Sequence, residues 1–490
     1  MSRASEISDG SSSVTQEHSS YRRILWATSV IGGATLGALL IGLIRNKAIA
    51  IIGGPEAVGL LGLFTALVTM GASVAALGLD TSAVRKLSQK TDDAEQAGNV
   101  RFAIWTLAWP LALLGAAAMW VFREPLARFV IENLAFADQV GWLGIGVAAT
   151  VIAAAQMAIL QSYSRIGDLA RVRLGGSIVA TIIGVAAVYR FGIGGIVIAV
   201  IATPLITCAL ASWAGMTLPS IARSSDLRVT DYWKALAAVG ALVMLTNAVG
   251  SLTQLATRAI VTHELGLNAA GLYHASYAIV AVNLSLVLNA MAADYYPRLS
   301  RVADDPAAMS VVLNQQIHVG LVLAAPVMAV VSFAAPLVLQ VLYSSQFSDS
   351  AFLLRLLIAA GLLRLPIWAL GFVFLARGAG VSFLIGEVAA ASMIPLAWLL
   401  VAPLDLPGAG VAAVIASIIA FFVYVTRVRR SHGVRVDAQN MLFVGLVTPF
   451  FVLLALAFEV HPPIAYVLGV LGVAVLCWNS FKTLRTVLAR

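Results

Sequence analysis

The sequence predicts an all-α, polytopic membrane protein of about 14 transmembrane helices: two parallel six-helix bundles around a central cavity, with two further helices appended at the C-terminus. Three observations predict it. The chain of 490 residues is 60% hydrophobic and only 11% charged, and its apolar runs are too long and too numerous for globular cores, since a bilayer asks for roughly 20 apolar residues per helix. Its Lys and Arg residues collect in alternate loops. Its first half also returns, residue for residue in places, at an offset of 212 positions.

Taken in order, residues 1–21 are polar and Ser-rich and read as a disordered cytosolic tail, not a cleaved leader. Fourteen apolar spans follow, at 24–44, 57–79, 102–122, 141–162, 174–189, 193–215, 235–261, 269–293, 315–335, 350–376, 380–402, 407–426, 440–459 and 463–481. Gly/Pro turns bound several of them, as at Gly192-Ile193-Gly194-Gly195 and Pro407-Gly408. With the N-terminus inside, the inner segments hold 23 of the 31 Lys and Arg residues and the outer loops three (Arg123, Arg128 and Arg190). The remaining five, Arg45, Lys47, Arg258, Arg355 and Arg364, sit in or at the outer ends of helices. That bias predicts both termini on the cytoplasmic side.

The repeat is clearest in the hairpin Arg45–Ser88. Gly54, Glu56-Ala57, Gly59-Leu60 and Leu87-Ser88 correspond to Gly266, Asn268-Ala269, Gly271-Leu272 and Leu299-Ser300, each 212 residues on, as Arg165 corresponds to Arg377. Val200–Thr203 resembles Val414–Ser417 at an offset of 214. Spans 1–6 and 7–12 begin on the same side, so the halves run parallel about an axis along the membrane normal, with a substrate site expected between them. The units are then 22–222, 223–430 and an appended pair within 431–490.

Several function classes find no support. The net charge of +8 is loop asymmetry, and no basic patch interleaved with aromatics suggests nucleic acid. Cys208 and Cys477 lie inside apolar runs and suggest neither disulfide nor metal. There is no Walker A loop, no HExxH and no nucleophile elbow, so neither a cofactor nor catalytic residues are expected. A membrane glycan polymerase or ligase would need a large outer loop, and the longest here, residues 123–140, offers little room.

The GPEAVGLLG turn, the ALGLDTSAVRKLS exit and their echo GLNAAGLYHASYAI…DYYPRLSR resemble the polysaccharide transporter (Wzx-type flippase) branch of the multidrug/oligosaccharidyl-lipid/polysaccharide (MOP) exporter superfamily, over spans 1–12. The resemblance implies outward flipping of an undecaprenyl-diphosphate-linked glycan, such as an O-antigen repeat unit, across the bacterial inner membrane. It also implies membrane lipids, a polysaccharide polymerase and a chain-length regulator as partners. Fourteen spans are similar to the lipid II flippases of the same superfamily too, where the last two helices form a groove for the lipid tail. A cation-coupled drug exporter on this fold would favour buried acids, whereas the ionisable residues here are mainly cationic.

Intramembrane polar residues are the candidate site. Asn247, Ser251, Gln254 and Arg258 share one face of span 7, pointing either to a cavity or to helix–helix hydrogen bonding. Tyr273, Ser276, Tyr277 and Asn283 of span 8 suit sugar hydroxyls and aromatic stacking, with an interfacial belt as the alternative for Tyr273. Arg45 and Arg258, at matching depths in the two halves, suit a paired phosphate clamp; the alternative is snorkelling to headgroups. Arg355 is near enough to the outer surface to snorkel. Arg364 lies about 20 Å from the inner end of span 10, counted from Arg377, and must meet water, an anion or a carboxylate. Glu387 is its partner or a proton site, and Asp294 and His318 are helix-terminal features or gates.

Overall fold

A computed structural model describes residues 5–88, 94–218 and 229–488. The cations Arg223 and Arg228, assigned to an inner loop, lie outside the described residues. Those residues form α1 (Ser5–Ala75), α2 (Leu79–Ser88), α3 (Ala94–Val121), α4 (Arg123–Leu126), α5 (Ala137–Ser162), α6 (Ile166–Phe191), α7 (Ile196–Met216), α8 (Val229–Arg301), α9 (Pro306–Phe333), α10 (Ala335–Leu342), α11 (Ala351–Ala376), α12 (Gly380–Ala390), α13 (Met393–His432), α14 (Ala438–Val460) and α15 (Pro462–Leu488). Helix α1 begins at Ser5, within the stretch whose composition suggests disorder. Extending a formed helix avoids the cost of nucleation, which is why a polar segment can follow on from span 1.

Among the described residues, ten stretches are long and apolar enough to cross a membrane, and four of them run to 46, 51, 50 and 53 residues. At 1.5 Å per residue those four exceed ~65 Å, about twice the hydrocarbon thickness. Each is broken near its middle by a residue with positive φ: Gly54 (66°), Gly192 (58°), Gly266 (83°) and Asp405 (52°). The chain turns back at each break, so six single passes and four double ones make fourteen. With an even number of passes, both termini share one face, called here the terminal face; the opposite one, holding Gly54 and Gly266, is the kink face.

These breaks restate the repeat in backbone geometry. Gly54 (φ 66°, ψ −165°) and Gly266 (φ 83°, ψ 173°), 212 residues apart, adopt one conformation that is essentially open only to glycine. Gly192 (φ 58°, ψ −137°) and Asp405 (φ 52°, ψ −149°) form a second pair, and Asp405 holds without glycine's freedom the turn that its counterpart makes with it. Packing repeats as well. Helix α5 lies against α3 and α7 in the first unit, as α11 lies against α9 and α13 in the second.

The units meet along α1 and α8. Near the kink face a Cβ on Gly59 would strike the Leu267 carbonyl and come within 2.9 Å of the Gly271 amide, while a Cβ on Gly271 would strike the Pro55 carbonyl. Pro55 and Leu267, like Gly59 and Gly271, are repeat equivalents, so this is a self-complementary contact about the internal axis. Toward the terminal face, a Cβ on Gly240 would strike the Leu77 carbonyl, and the Trp233 indole donates to the Ala103 carbonyl at 3.2 Å.

The appended pair is fastened at both ends. On the terminal side Asn314 of α9 donates to the Arg435 carbonyl (2.8 Å) and accepts from the Asp437 amide (2.8 Å) and the Asn440 side chain (3.0 Å). On the kink side Arg355 corrects the snorkelling expectation: it is 4% exposed. Its Nε donates to the Ser332 carbonyl at 3.1 Å and its guanidinium lies 3.9 Å from the Phe458 ring centroid. Phe458 packs edge-on against Phe333 and Tyr466. The α14 side chains thus cover the arginine before it can reach a headgroup. Arg355→Ala should cost about 2 kcal/mol through the lost cation–π contact and hydrogen bond. Thermal unfolding in detergent measures it, and an unchanged midpoint would show the arginine to be idle.

Candidate functional site: a cationic seam beside a cavity

Arg45, near the kink-face end of the first half of α1, donates through Nη1 to Thr203 Oγ1 at 2.9 Å within its own unit. Arg258, on the first half of α8, is 6% exposed, and its guanidinium lies 5.2 Å from the Tyr277 ring centroid. In each, Nε is buried without a hydrogen-bond partner, and among the described residues neither makes an ion pair. Both lie within electrostatic range of His274 on the second half of α8, whose Nδ1 is also buried and unpartnered. The His274 ring reaches across the seam to Gly62 of α1, where a Cβ would come within 2.7 Å of it. A glycine gives the ring its place. Two guanidiniums and an imidazole from both units therefore meet with buried nitrogens unused; Arg258 and Arg355 are the only charged side chains among the buried described residues. Buried polar groups are ordinarily satisfied, and no carboxylate among the described residues satisfies these.

Beside the seam, inside the second unit, lies a cavity of about 470 Å³ walled by α8, α11, α12 and α13. Tyr273 and Tyr277 form one wall, their rings stacked at 6.2 Å and 20°; Tyr273 is 5% exposed, which places it in the interior and not in an interfacial belt. Trp368 and Phe372, 4.5 Å apart, form another. Gln254, Arg364 and Glu387 face the same space. The Glu387 carboxylate accepts from the Tyr424 hydroxyl at 2.9 Å. Arg364 is exposed and makes no ion pair among the described residues, Glu387 included.

The remaining candidates divide. Ser251 Oγ lies 3.0 Å from Ser73 Oγ of α1, so this part of the span 7 stripe is a hydrogen bond between the units. Asn247 is exposed. Asn283 donates to the Ile279 carbonyl of its own helix at 2.8 Å, and Ser276 bonds Ser350 at 3.1 Å. Asp294 pairs with Arg298 one turn on, at 3.1 Å and exposed, and His318 packs on Phe443 of α14. These contacts suit helix-end fastening. Three features escaped sequence reasoning: His274, Tyr424, and the span 2 stripe Thr65, Thr69 and Ser73, of which Ser73 meets Ser251 of span 7. The stripe's four-residue spacing was a usable signal. Nothing in the sequence marks His274 as a partner of Gly62.

Two straps cross the seam at the kink face. The segment after α4 ends at Glu132, left-handed at φ 61°, whose Oε1 lies 3.0 Å from His263 Nε2 of α8; Glu264 flanks the other imidazole nitrogen at 3.4 Å. In the equivalent place, α10 and the segment after it receive α1: Lys47 donates to the Val341 carbonyl of α10, and a Cβ on Gly54 would meet Gln346 Oε1 at 3.2 Å. Buried Tyr343 stands within electrostatic range of Arg45, and burial pushes its phenol up to about 12, so it stays neutral. Each unit's connecting segment thus grips the other unit's hairpin.

Two six-helix units related by an internal axis and closed along a kinked helix pair are a fold shared with solved transporters of the MOP superfamily. Solved structures similar to the chain include an inward-facing multidrug resistance MATE family transporter of the MOP superfamily (18% identity, TM-score 0.70, covering 84% of this chain and 96% of that one). The lipid II flippase MurJ in an inward closed conformation is also similar (15%, 0.67, 93% and 99%), as is a MOP superfamily transporter from Pyrococcus furiosus (17%, 0.62, 86% and 96%). Residues 50–352 match the family described as polysaccharide biosynthesis protein, and the chain belongs to that family. No curated protein sequence matches it.

Proposed function

We propose that the protein carries an undecaprenyl-diphosphate-linked oligosaccharide from the cytosolic to the periplasmic leaflet of the inner membrane by alternating access. The observation that carries this reading is the unpaired cluster of Arg45, Arg258 and His274 at the seam. A diphosphate would be prohibitively costly to move bare through hydrocarbon, and guanidinium forks with free donors suit its oxygens. Glu387 is the one carboxylate in the cavity wall and Arg364 shares that wall, which argues against an organic cation as cargo. The Lys and Arg distribution supports a cytosolic terminal face. The straps and the Gly59–Gly271 contact then seal the periplasmic end, and outward opening requires both straps to release. Exposed polar contacts of the Glu132–His263 kind are worth about 0–1 kcal/mol, suited to a gate that must open. A potential of 100 mV, negative inside, favours export of each negative charge by about 2.3 kcal/mol, so a dianion can be driven without ATP. Depletion in the native host should strand lipid-linked glycan on the cytosolic leaflet. The lipid that accumulates separates a polysaccharide precursor from lipid II, and accumulation of neither would refute the reading.

A further inference from the structure

We propose that the cavity within the second unit binds the first sugars of the cargo, next to the diphosphate; this rests on the lipid-diphosphate reading above. The decisive juxtaposition is the Tyr273–Tyr277 pair. One side of it walls the cavity, and the Arg258 guanidinium lies over the Tyr277 ring. In a lipid-linked glycan the first sugar is bonded directly to the diphosphate. A phosphate held at Arg258 therefore puts the adjoining sugar one aromatic layer away, at the cavity.

The walls fit a pyranose. Such a ring offers apolar C–H faces and a rim of hydroxyls. The stacked tyrosines and the Trp368–Phe372 pair supply flat apolar surfaces. Gln254 and Glu387 accept from hydroxyls, and Arg364 donates to them. At about 470 Å³ the space falls within the ~300–1,000 Å³ usual for small-molecule sites, room for about two such rings. A prenyl tail in this cavity would desolvate Arg364 and Glu387 without compensation, and an organic cation would meet Arg364.

The test compares two kinds of probe on the purified full-length protein in lipid nanodiscs: farnesyl diphosphate, and farnesyl diphosphate bearing glucose, galactose or N-acetylglucosamine. For at least one sugar the sugar-bearing probe should bind tenfold or more tighter. That ratio should fall toward one in Trp368→Ala and in Glu387→Gln, the second of which preserves side-chain volume and so guards against misfolding. Arg258→Ala should weaken both kinds of probe. Equal affinities for bare and sugar-bearing probes in the wild type would overturn the proposal, as would a ratio unchanged in both cavity variants. Failure of every probe to bind would instead overturn the lipid-diphosphate reading and this proposal with it.

Discussion

Arg258→Ala is expected to reduce glycan export at least tenfold while the protein remains in the membrane at normal level. The argument is one of unused capacity. Arg258 is 6% exposed, its Nε has no partner, and its one strong neighbour is the face of Tyr277. A charge held so deep is costly unless something compensates it. If that compensation comes from the passing diphosphate, truncation removes hydrogen bonds to a charged group worth about 1.5–3 kcal/mol, or roughly ten- to hundred-fold. Arg258→Lys keeps the charge and loses the planar fork, so intermediate transport is expected. The measurement is lipid-linked glycan retained on the cytosolic leaflet, set against protein level. Wild-type export by Arg258→Ala would show that the arginine serves only the Tyr277 contact.

The second large effect is expected at Gly271. A Cβ there strikes the Pro55 carbonyl, so Gly271→Val cannot be housed while the kink face is shut. Overpacking of this kind costs about 1–3 kcal/mol, and more where backbone is the obstacle. Every 1.4 kcal/mol is about a tenfold change in population, so the closed state should give way to one opened at the kink face. A single cysteine on the stripe that carries Ser73, Thr65→Cys in a background lacking Cys208 and Cys477, should then react with an impermeant maleimide from outside, and export should fall to background. Thr65 is exposed, so reactivity reports access and not local unfolding. An unreactive Thr65→Cys with normal export would mean that the helices part at that point without consequence.

Much of the fold was legible before any coordinates. Fourteen passes follow from hydropathy, because a bilayer imposes one length on every crossing. The 212-residue offset follows in part from glycines, which record backbone geometry directly: Gly54 and Gly266 recur because only glycine adopts their conformation readily. The candidate site was legible in part. Intramembrane Arg and polar residues stand out against an apolar background, and Arg258, Arg364, Gln254 and the two tyrosines do gather in and around one cavity. Which of them face it was not legible. Asn283 and Ser251 share helical faces with their neighbours, yet one bonds its own helix and the other bonds Ser73 across the seam.

By itself the sequence determined the class of molecule, the number of crossings and the parallel duplication, since all three rest on local composition and on period. Only the tertiary structure decided what each arginine meets. Arg355 was placed near a headgroup by counting along its helix, but is covered by Phe458 from a helix more than a hundred residues on. His274 became a neighbour of the two arginines because Gly62, on the other unit, leaves room for its ring. Contacts of that kind depend on how two helices cross. Helical period fixes the face a residue occupies and says nothing of what lies opposite it.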